Sequence, residues 1–522
     1  MAMSAAPRLL APVERLTDAL TDPVRCERAV VGVLAAYVVV WTLYGVLAKA
    51  SQDVHYDMAE VAAWSREPSL GYAKHPPLAA WVVRGWFTLF PVADWAYYLL
   101  AITFAAVALW LAWLLFARFL DAEKRVVGLA LLTLVPFFNF HALKFDHNAV
   151  LVPLWAAATL CFIRSFETRS IGWAALAGAA AAVAMLGKYW SIFLLAGLSL
   201  AALTDPRRGA YFRSSAPWVM IAVGALVLAP HVAWLIAHDF APYSYVVAAH
   251  AATSFATVAR TVAGYLAGAA GYAVMPVLLA LAASRPNLPA LADMIKPSAP
   301  ERRLAAIAFW VPLLLPAPVA LAIGLELNPV WTMSAWTLLP VVLLSSPLVV
   351  IGRSAVLAIV AFAVLLPPLM TAAAPAIVIA VHRAGVTPTA AHARLLAERM
   401  LHEWRQTTDR PLLLVGGDLD LAYVTAFYLP TRPSAFPLAE PQLAPWVDAT
   451  RIARQGIVLV CHSRYDLQGG RTCVHKPVIE AIEAIAGRAP AGRRVDVEIV
   501  RTYLGVAGEP ARYLISTVPP RP

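Results

Sequence analysis

Charge is what this 522-residue chain has little of: Asp, Glu, Lys and Arg make up 14% of it, against 61% hydrophobic residues. Soluble globular chains run at about 25% charged and about 45–50% apolar, so a wholly water-soluble fold is excluded. The shortage is local. Charged residues are scarce from about 29 to 380 and return at ordinary density from His382 to Pro522, which implies one domain in lipid and one in water. Cysteine is scarce too. Of four, Cys26 is expected in the cytoplasm and Cys161 within an apolar run, while Cys461 and Cys473 share the polar tail. Those two can pair if the tail lies in an oxidising compartment, since Gly469-Gly470 lets the intervening segment turn back; equally, they can lie on separate faces. There is no glycine-rich phosphate loop between a strand and a helix, no metal-ligand spacing of cysteines, and no nucleic-acid motif. The net charge of +10 is dispersed in short clusters between apolar runs, which argues against a nucleic-acid partner. Residues 1–28 are too polar for a cleaved signal peptide and read as a cytoplasmic segment, in part an amphipathic helix.

What is present is apolar runs in quantity. About 20 apolar residues cross the hydrocarbon core as a helix. Spans are expected near 29–49, 97–117, 126–140, 149–163, 171–187, 189–203, 216–236, 261–283, 304–324, 335–352 and 354–380, eleven in all. Lys and Arg favour the cytoplasmic side of such proteins. With the N-terminus inside, seventeen fall in inside segments and seven in the short outside loops (Lys49, Arg66, Lys74, Arg84, Lys144, Lys188 and Arg260). The expectation is therefore a multi-pass bacterial inner-membrane protein with a membrane domain over 29–380, a first outside loop over 50–96, and a periplasmic tail over 381–522. The tail opens with a helical pattern over 390–404. Strand-like runs follow at 411–417, 456–462, 496–504 and 511–518, making it a small α/β domain. The Gly416–Asp420 stretch reads as a turn.

The first outside loop carries the densest chemistry. Asp53, Asp57, Glu60, Lys74 and His75 sit beside the rigid Pro76-Pro77 pair, among Trp64, Trp81 and Trp86. Such a mixture suits short helices in the membrane interface; the plain alternative is a solvated connector with aromatic anchors. Further ionisable residues fall at outside ends of spans, at Asp146-His147 and at Lys188-Tyr189. Charges near the hydrocarbon boundary are costly, so they point to function, and a helix bundle would gather them on one face.

Within this loop the residues Asp57-Met58-Ala59, Trp64-Ser65 and Gly71-Tyr72-Ala73-Lys74-His75-Pro76-Pro77-Leu78 resemble the first periplasmic loop of the family 39 and 83 glycosyltransferases, the group of protein mannosyltransferases and lipid A aminoarabinose transferase. That loop reads Asp-Glu-Ala-x-Tyr-Trp, Trp-Ser, and Gly-Tyr-Phe-Asp-His-Pro-Pro-Leu. Met58 stands where the family has Glu, which leaves Asp53 as the alternative to Asp57 for the catalytic position. Lys144–Asn148, Gly187-Lys188-Tyr189 and His238-Asp239-Phe240 resemble further family segments, and the likeness runs from 29 to about 350. It implies a GT-C fold and transfer of a sugar, with inversion, from a polyprenyl-phosphate donor to an envelope glycolipid, glycan or protein.

On that resemblance Asp57 is the base that takes the acceptor's proton, with Asp146 as a second acidic residue of the catalytic set. Lys74, His75 and Lys188 would hold the donor phosphate; His75 can donate a hydrogen bond or take up a proton near neutrality. Asp53, Glu60, Tyr72, His147, Asn148, Tyr189, His238 and Trp331 are candidate substrate contacts. Each has a plainer reading: Lys188 as a snorkelling helix end, Asp146 as a helix cap, His238-Asp239 as a loop pair, Trp331 as an interfacial anchor. No cofactor is expected and no metal ligands are assigned, although a divalent ion stays open. A transporter or flippase for a lipid-linked sugar is the rival. It predicts internal repeats and mid-membrane charge, whereas no repeat is visible and the charges cluster at one surface. A receptor-like protein whose tail binds a partner would leave the Lys-His-Pro-Pro loop unexplained.

Overall fold

The computed structural model describes residues 6–384, 388–462 and 493–521. Among them, six helices are long and apolar enough to cross a bilayer: Cys26–Ala48, Asp94–Phe116, Ala216–Ala237, Phe255–Ser284, Pro300–Ile323 and Arg353–Ala384. A bent pair, Ala122–Thr133 with Pro136–Leu143, would be a seventh; its segments meet at 84°. The bend has a local cause. Pro136 has no N–H to continue the ladder, so the first segment stops at Thr133. The other expected intervals coincide with helices as well, at Leu151–Thr168, Ile171–Gly187, Tyr189–Thr204 and Ala335–Leu344. At about 1.5 Å per residue, those of 10–17 residues fall short of a hydrocarbon core about 30 Å thick. The chain is thus a multi-pass membrane protein in which full-length spans are interspersed with shorter apolar helices.

By internal contact the chain forms two compact units. One is Met1–Leu43, Leu70–Leu78 and Tyr98–Thr371; the other is Tyr44–Ser69, Ala79–Tyr97 and Ala372–Pro522. The first outside loop is therefore divided: 70–78 belong with the membrane helices, and the rest with the tail.

In the membrane unit, Ile171–Gly187 and Ala216–Ala237 pack backbone to backbone, because a Cβ at Gly178 would collide with the Met220 carbonyl. Small residues permit this approach where helices associate by close packing rather than by escape from water.

The tail contains strands β1 (Leu414–Gly417), β2 (Ser434–Pro437), β3 (Ile457–His462), β4 (Arg494–Ile499), β5 (Thr502–Tyr503), β6 (Val506–Ala507) and β7 (Ala511–Val518). Five form one sheet in the order β2-β1-β3-β7-β4. β1 runs parallel to β2 and β3, and β7 antiparallel to β3 and β4. β5 and β6 make a small hairpin whose turn residues, Leu504 and Gly505, both have positive φ, as a primed turn requires. Alternation along the strands gives the sheet two apolar faces. Val415, Val458, Tyr513 and Ile515 pack with Leu396, Met400 and Trp404 of the helix Pro388–Arg405, while Leu414, Ile457, Leu459 and Val518 pack with Ile452 of the helix Ala449–Gln455. The Gly416–Asp420 stretch does more than turn. Gly417 has φ +142° and lies where a Cβ would strike the Val460 carbonyl, and Asp418 opens the helix Leu419–Tyr428. β2 and the helices Leu419–Tyr428 and Ala449–Gln455 are additions to the sequence expectation; the four residues of β2 are too few to alternate visibly. Cys461 is buried on β3, and Cys473 lies outside the described residues, as does any pairing through it.

Candidate functional site

In the membrane unit the breaks between helices gather polar side chains. The helix Ile171–Gly187 ends at Lys188, whose extended backbone opens the short turn Tyr189–Ser191. From there the Lys188 Nζ donates to the Asn148 side-chain carbonyl at 2.7 Å and lies 5.1 Å from the Trp331 ring centre. A snorkelling lysine would instead reach outward along the helix. Trp331 is itself packed by Trp190 at 5.0 Å and edge-on by His250 at 5.2 Å.

Ahead of the helix Leu151–Thr168, the buried Asp146 accepts the backbone N–H groups of Asn148 (2.7 Å) and Ala149 (3.1 Å) and lies 3.3 Å from Lys144 Nζ. The carboxylate shapes this turn, as a capping residue does, and so presents His147 and Asn148. Burial would raise its pKa; Lys144, Lys188 and the two amides outweigh that and hold it below the usual carboxylate range.

The segment 70–78 supplies the third component. Tyr72 is buried, with its N–H bonded to the His75 carbonyl at 3.0 Å, and Gly71 fits under Trp234 with no room for a Cβ. The turn places the His75 ring 4.0 Å from that of His147, and the buried Lys74 5.6 Å from the Tyr245 ring. Burial, helped by the neighbouring His147, Lys74, Lys188 and His250, holds the His75 imidazole well below its ordinary pKa. His75 is therefore neutral at physiological pH and suited to hydrogen bonding; the expected proton uptake near neutrality is opposed by its surroundings. His250 is lowered as well, first by burial and then by Lys188.

Lys74, His75, Asp146, His147, Asn148, Lys188 and Trp331 thus share one neighbourhood. Tyr189 joins it through its hydroxyl, 2.9 Å from His231, whose other ring nitrogen is 2.6 Å from the Leu70 carbonyl. His238 is exposed at the end of the helix Ala216–Ala237, its Nδ1 2.8 Å from the Trp234 carbonyl. Sequence reasoning passed over His231, His250 and Tyr245. A histidine inside the apolar run 216–236 was a legible signal for the first; the others lie in the helix Ala241–His250, which no span pattern marked. Lysine charges, imidazoles with lowered pKa values and aromatic walls are groups chemically suited to an anion attached to a ring or chain. Among the described residues no three His, Cys, Asp or Glu side chains group as metal ligands.

The candidate carboxylates of the first loop lie in the other unit. Asp57 is in the first turn of the helix Tyr56–Trp64, its carboxylate partly exposed and 3.7 Å from His55 Nδ1. Glu60, three residues on, is buried. The Asp53 side chain is fully buried, accepting from Arg501 Nη2 at 2.8 Å and from the Arg394 backbone N–H at 3.1 Å.

Residues 74–234 match the family described as dolichyl-phosphate-mannose-protein mannosyltransferase. Two curated relatives come from Rhizobium johnstonii (strain DSM 114642 / LMG 32736 / 3841). The lipid A galacturonosyltransferase RgtD is 30% identical over 190 residues, covering 36% of this chain and 39% of the relative. The lipopolysaccharide core galacturonosyltransferase RgtB is 29% identical over 208 residues, covering 39% and 41%. The chain thus spans about two fifths of the length of the curated relatives it matches. Among solved structures, ArnT from Cupriavidus metallidurans bound to undecaprenyl phosphate superposes with TM-score 0.61 at 14% identity, covering 93% of this chain and 97% of that one. Its apo state gives 0.59 at 13% identity with the same coverage. The chain has the fold of ArnT, and Lys74, His75, Asp146 and Lys188 lie within residues 74–234, the segment that matches the mannosyltransferase family.

Proposed function

We propose that this protein is a membrane glycosyltransferase that moves a sugar from a polyprenyl-phosphate donor to an envelope glycolipid. The observation that carries the proposal is the Lys74–His75–Asn148–Lys188 neighbourhood, built from the matched segment at the ends of apolar helices. A lipid phosphate needs cations facing it and an apolar route for its tail. The lysines supply point charge and the neutral imidazoles supply hydrogen bonds. The acceptor class rests on the lipid A and lipopolysaccharide relatives, and the polyprenyl carrier on the lipid named with ArnT.

In the reaction an acceptor hydroxyl oxygen bonds to the anomeric carbon as the bond from that carbon to the phosphate oxygen breaks. The electron pair leaves with the phosphate, where lysine charge stabilises it, and the hydroxyl proton goes to Asp57. A single displacement inverts the anomeric centre. No resident metal is assigned to these steps, and transfer measured with and without a chelator decides whether a divalent ion assists.

The same reading has eleven spans, with the shorter apolar helices completing the count, residues 1–28 inside, and the tail from 381 outside the inner membrane. In intact spheroplasts a membrane-impermeant thiol reagent, after reduction, should label a tail cysteine and spare Cys26; labelling of Cys26 alone would invert this topology. The decisive assay is transfer in proteoliposomes from undecaprenyl-phosphate-linked sugars to lipid A, with release of undecaprenyl phosphate. Flipping of the donor across the bilayer without sugar transfer would sink the enzyme reading.

A further inference from the structure

The tail unit carries a set of ion pairs that the reaction above does not use, fully buried at Asp53 and partly exposed at Asp94 and Glu67, and these tie first-loop residues to the C-terminal fold. Asp53 has both carboxylate oxygens engaged, one by Arg501 and the other by the Arg394 backbone N–H, and its side chain is fully buried. The Arg394 guanidinium bonds Asp94 and lies 4.7 Å from the Tyr428 ring centre. The next residue, Val54, donates its N–H to the Tyr428 hydroxyl at 2.8 Å. Beyond the other end of the helix Tyr56–Trp64, Arg66 donates to the Pro433 carbonyl at 2.8 Å, and Glu67 accepts from Ser434 Oγ and pairs with Arg451 at 3.3 Å. Between the clamps, Met58, Val61, Ala62 and Trp64 are buried, and the Tyr97 hydroxyl bonds the Met58 carbonyl at 2.8 Å.

A nine-residue helix is marginal by itself, and a catalytic group must be held to within about 0.5 Å. We propose that Asp53 and Glu67 are positioning residues that lock the Asp57 helix onto the C-terminal α/β fold, so that the tail is a built-in part of the transferase rather than a separate binding module. This rests on the transferase reading, with Asp57 as base. It also separates the two candidate aspartates: Asp53 is an anchor, and Asp57 reacts.

The test is a kinetic cycle in the full-length protein. Arg501→Gln and Glu67→Gln should each lower kcat about 10- to 100-fold, the scale of misplacing a reacting group by about an ångström. The apparent KM for the lipid donor should stay within about twofold, and Arg501→Lys, which keeps the charge, should recover most of the rate. In an Asp57→Asn background, Arg501→Gln should cost less than about twofold more, because a residue acting through Asp57 has nothing left to position. Unchanged kcat in either Gln variant, a donor KM that rises in step with the loss, or full multiplicative loss in the Asp57→Asn background overturns the inference. Should Arg501→Gln fail to assemble in the membrane, Glu67→Gln, at a partly exposed pair, carries the same decision. Wild-type protein that transfers no sugar would overturn the transferase reading itself; active wild type with unimpaired variants overturns only the anchor.

Discussion

Two polar clusters, one in each unit, are built differently. In the tail unit, Asp53 meets Arg501 and Glu67 meets Arg451 across more than 380 residues of chain, each carboxylate closed against a guanidinium. In the membrane unit, Lys188 bonds the Asn148 amide, lies beside the Trp331 indole and helps to lower the pKa of Asp146, and Lys74 lies over a tyrosine, near the His75 imidazole that burial keeps uncharged. Closed pairs hold a shape. On the reading proposed above, the lysines of the membrane unit serve the donor phosphate and the closed pairs of the tail unit hold the helix that carries the base.

The sharpest way to break the comparison is Asp57→Asn, which keeps size and polarity and removes basicity. Transfer should fall about 10²-fold or more while donor KM holds. Full activity in Asp57→Asn together with loss in Asp53→Asn would exchange the roles of the two aspartates. Next comes Lys188→Ala. Losing a charge-assisted contact costs about 1.5–3 kcal/mol, so apparent KM for the lipid donor should rise about tenfold or more, and an unchanged KM would return Lys188 to the role of a helix end.

A smaller effect concerns pH. His75 and His250 both have folded pKa values below the ordinary 6.5. Below about 6.5 the unfolded chain takes up protons that the folded site refuses, so the membrane unit should lose stability as pH falls from 7.5 to 5.5. In the tail unit the shifts oppose each other. His392 is lowered, mainly by burial. At His462 burial also opposes charge, but Asp420 and Asp418 outweigh it and raise the pKa. The His462 contribution is present below about 6.5 and fades as pH rises through the folded value, so the two terms partly cancel. Hydrogen exchange at the two pH values should show protection falling in the membrane unit and nearly level in the tail. Smallest of all, Asp420→Asn should remove the His462 term and leave the tail acid-sensitive; a tail still level with pH would assign that balance to other groups.

Much of this was legible residue by residue. Apolar runs located the helices, and lone charges at their ends, Lys74, Asp146 and Lys188, marked the positions that come together in the fold. The strands around Val415 and Val458 announced themselves as short apolar runs, and the one around Ile515 by alternation and β-branched content. Those signals are local, set by the cost of putting a charge in lipid or a polar group in a core, and a window of about twenty residues carries them. The sequence by itself determined a multi-pass helical chain with an α/β tail and with charged residues at the ends of its apolar helices. Only the tertiary structure decided that Asp53 faces Arg501, 448 positions away, that most of the first loop belongs with the tail, and that the half-buried His75 is held neutral. Which guanidinium a carboxylate meets, and how much water an imidazole keeps, depend on long-range packing, for which no periodicity in the chain provides a sign.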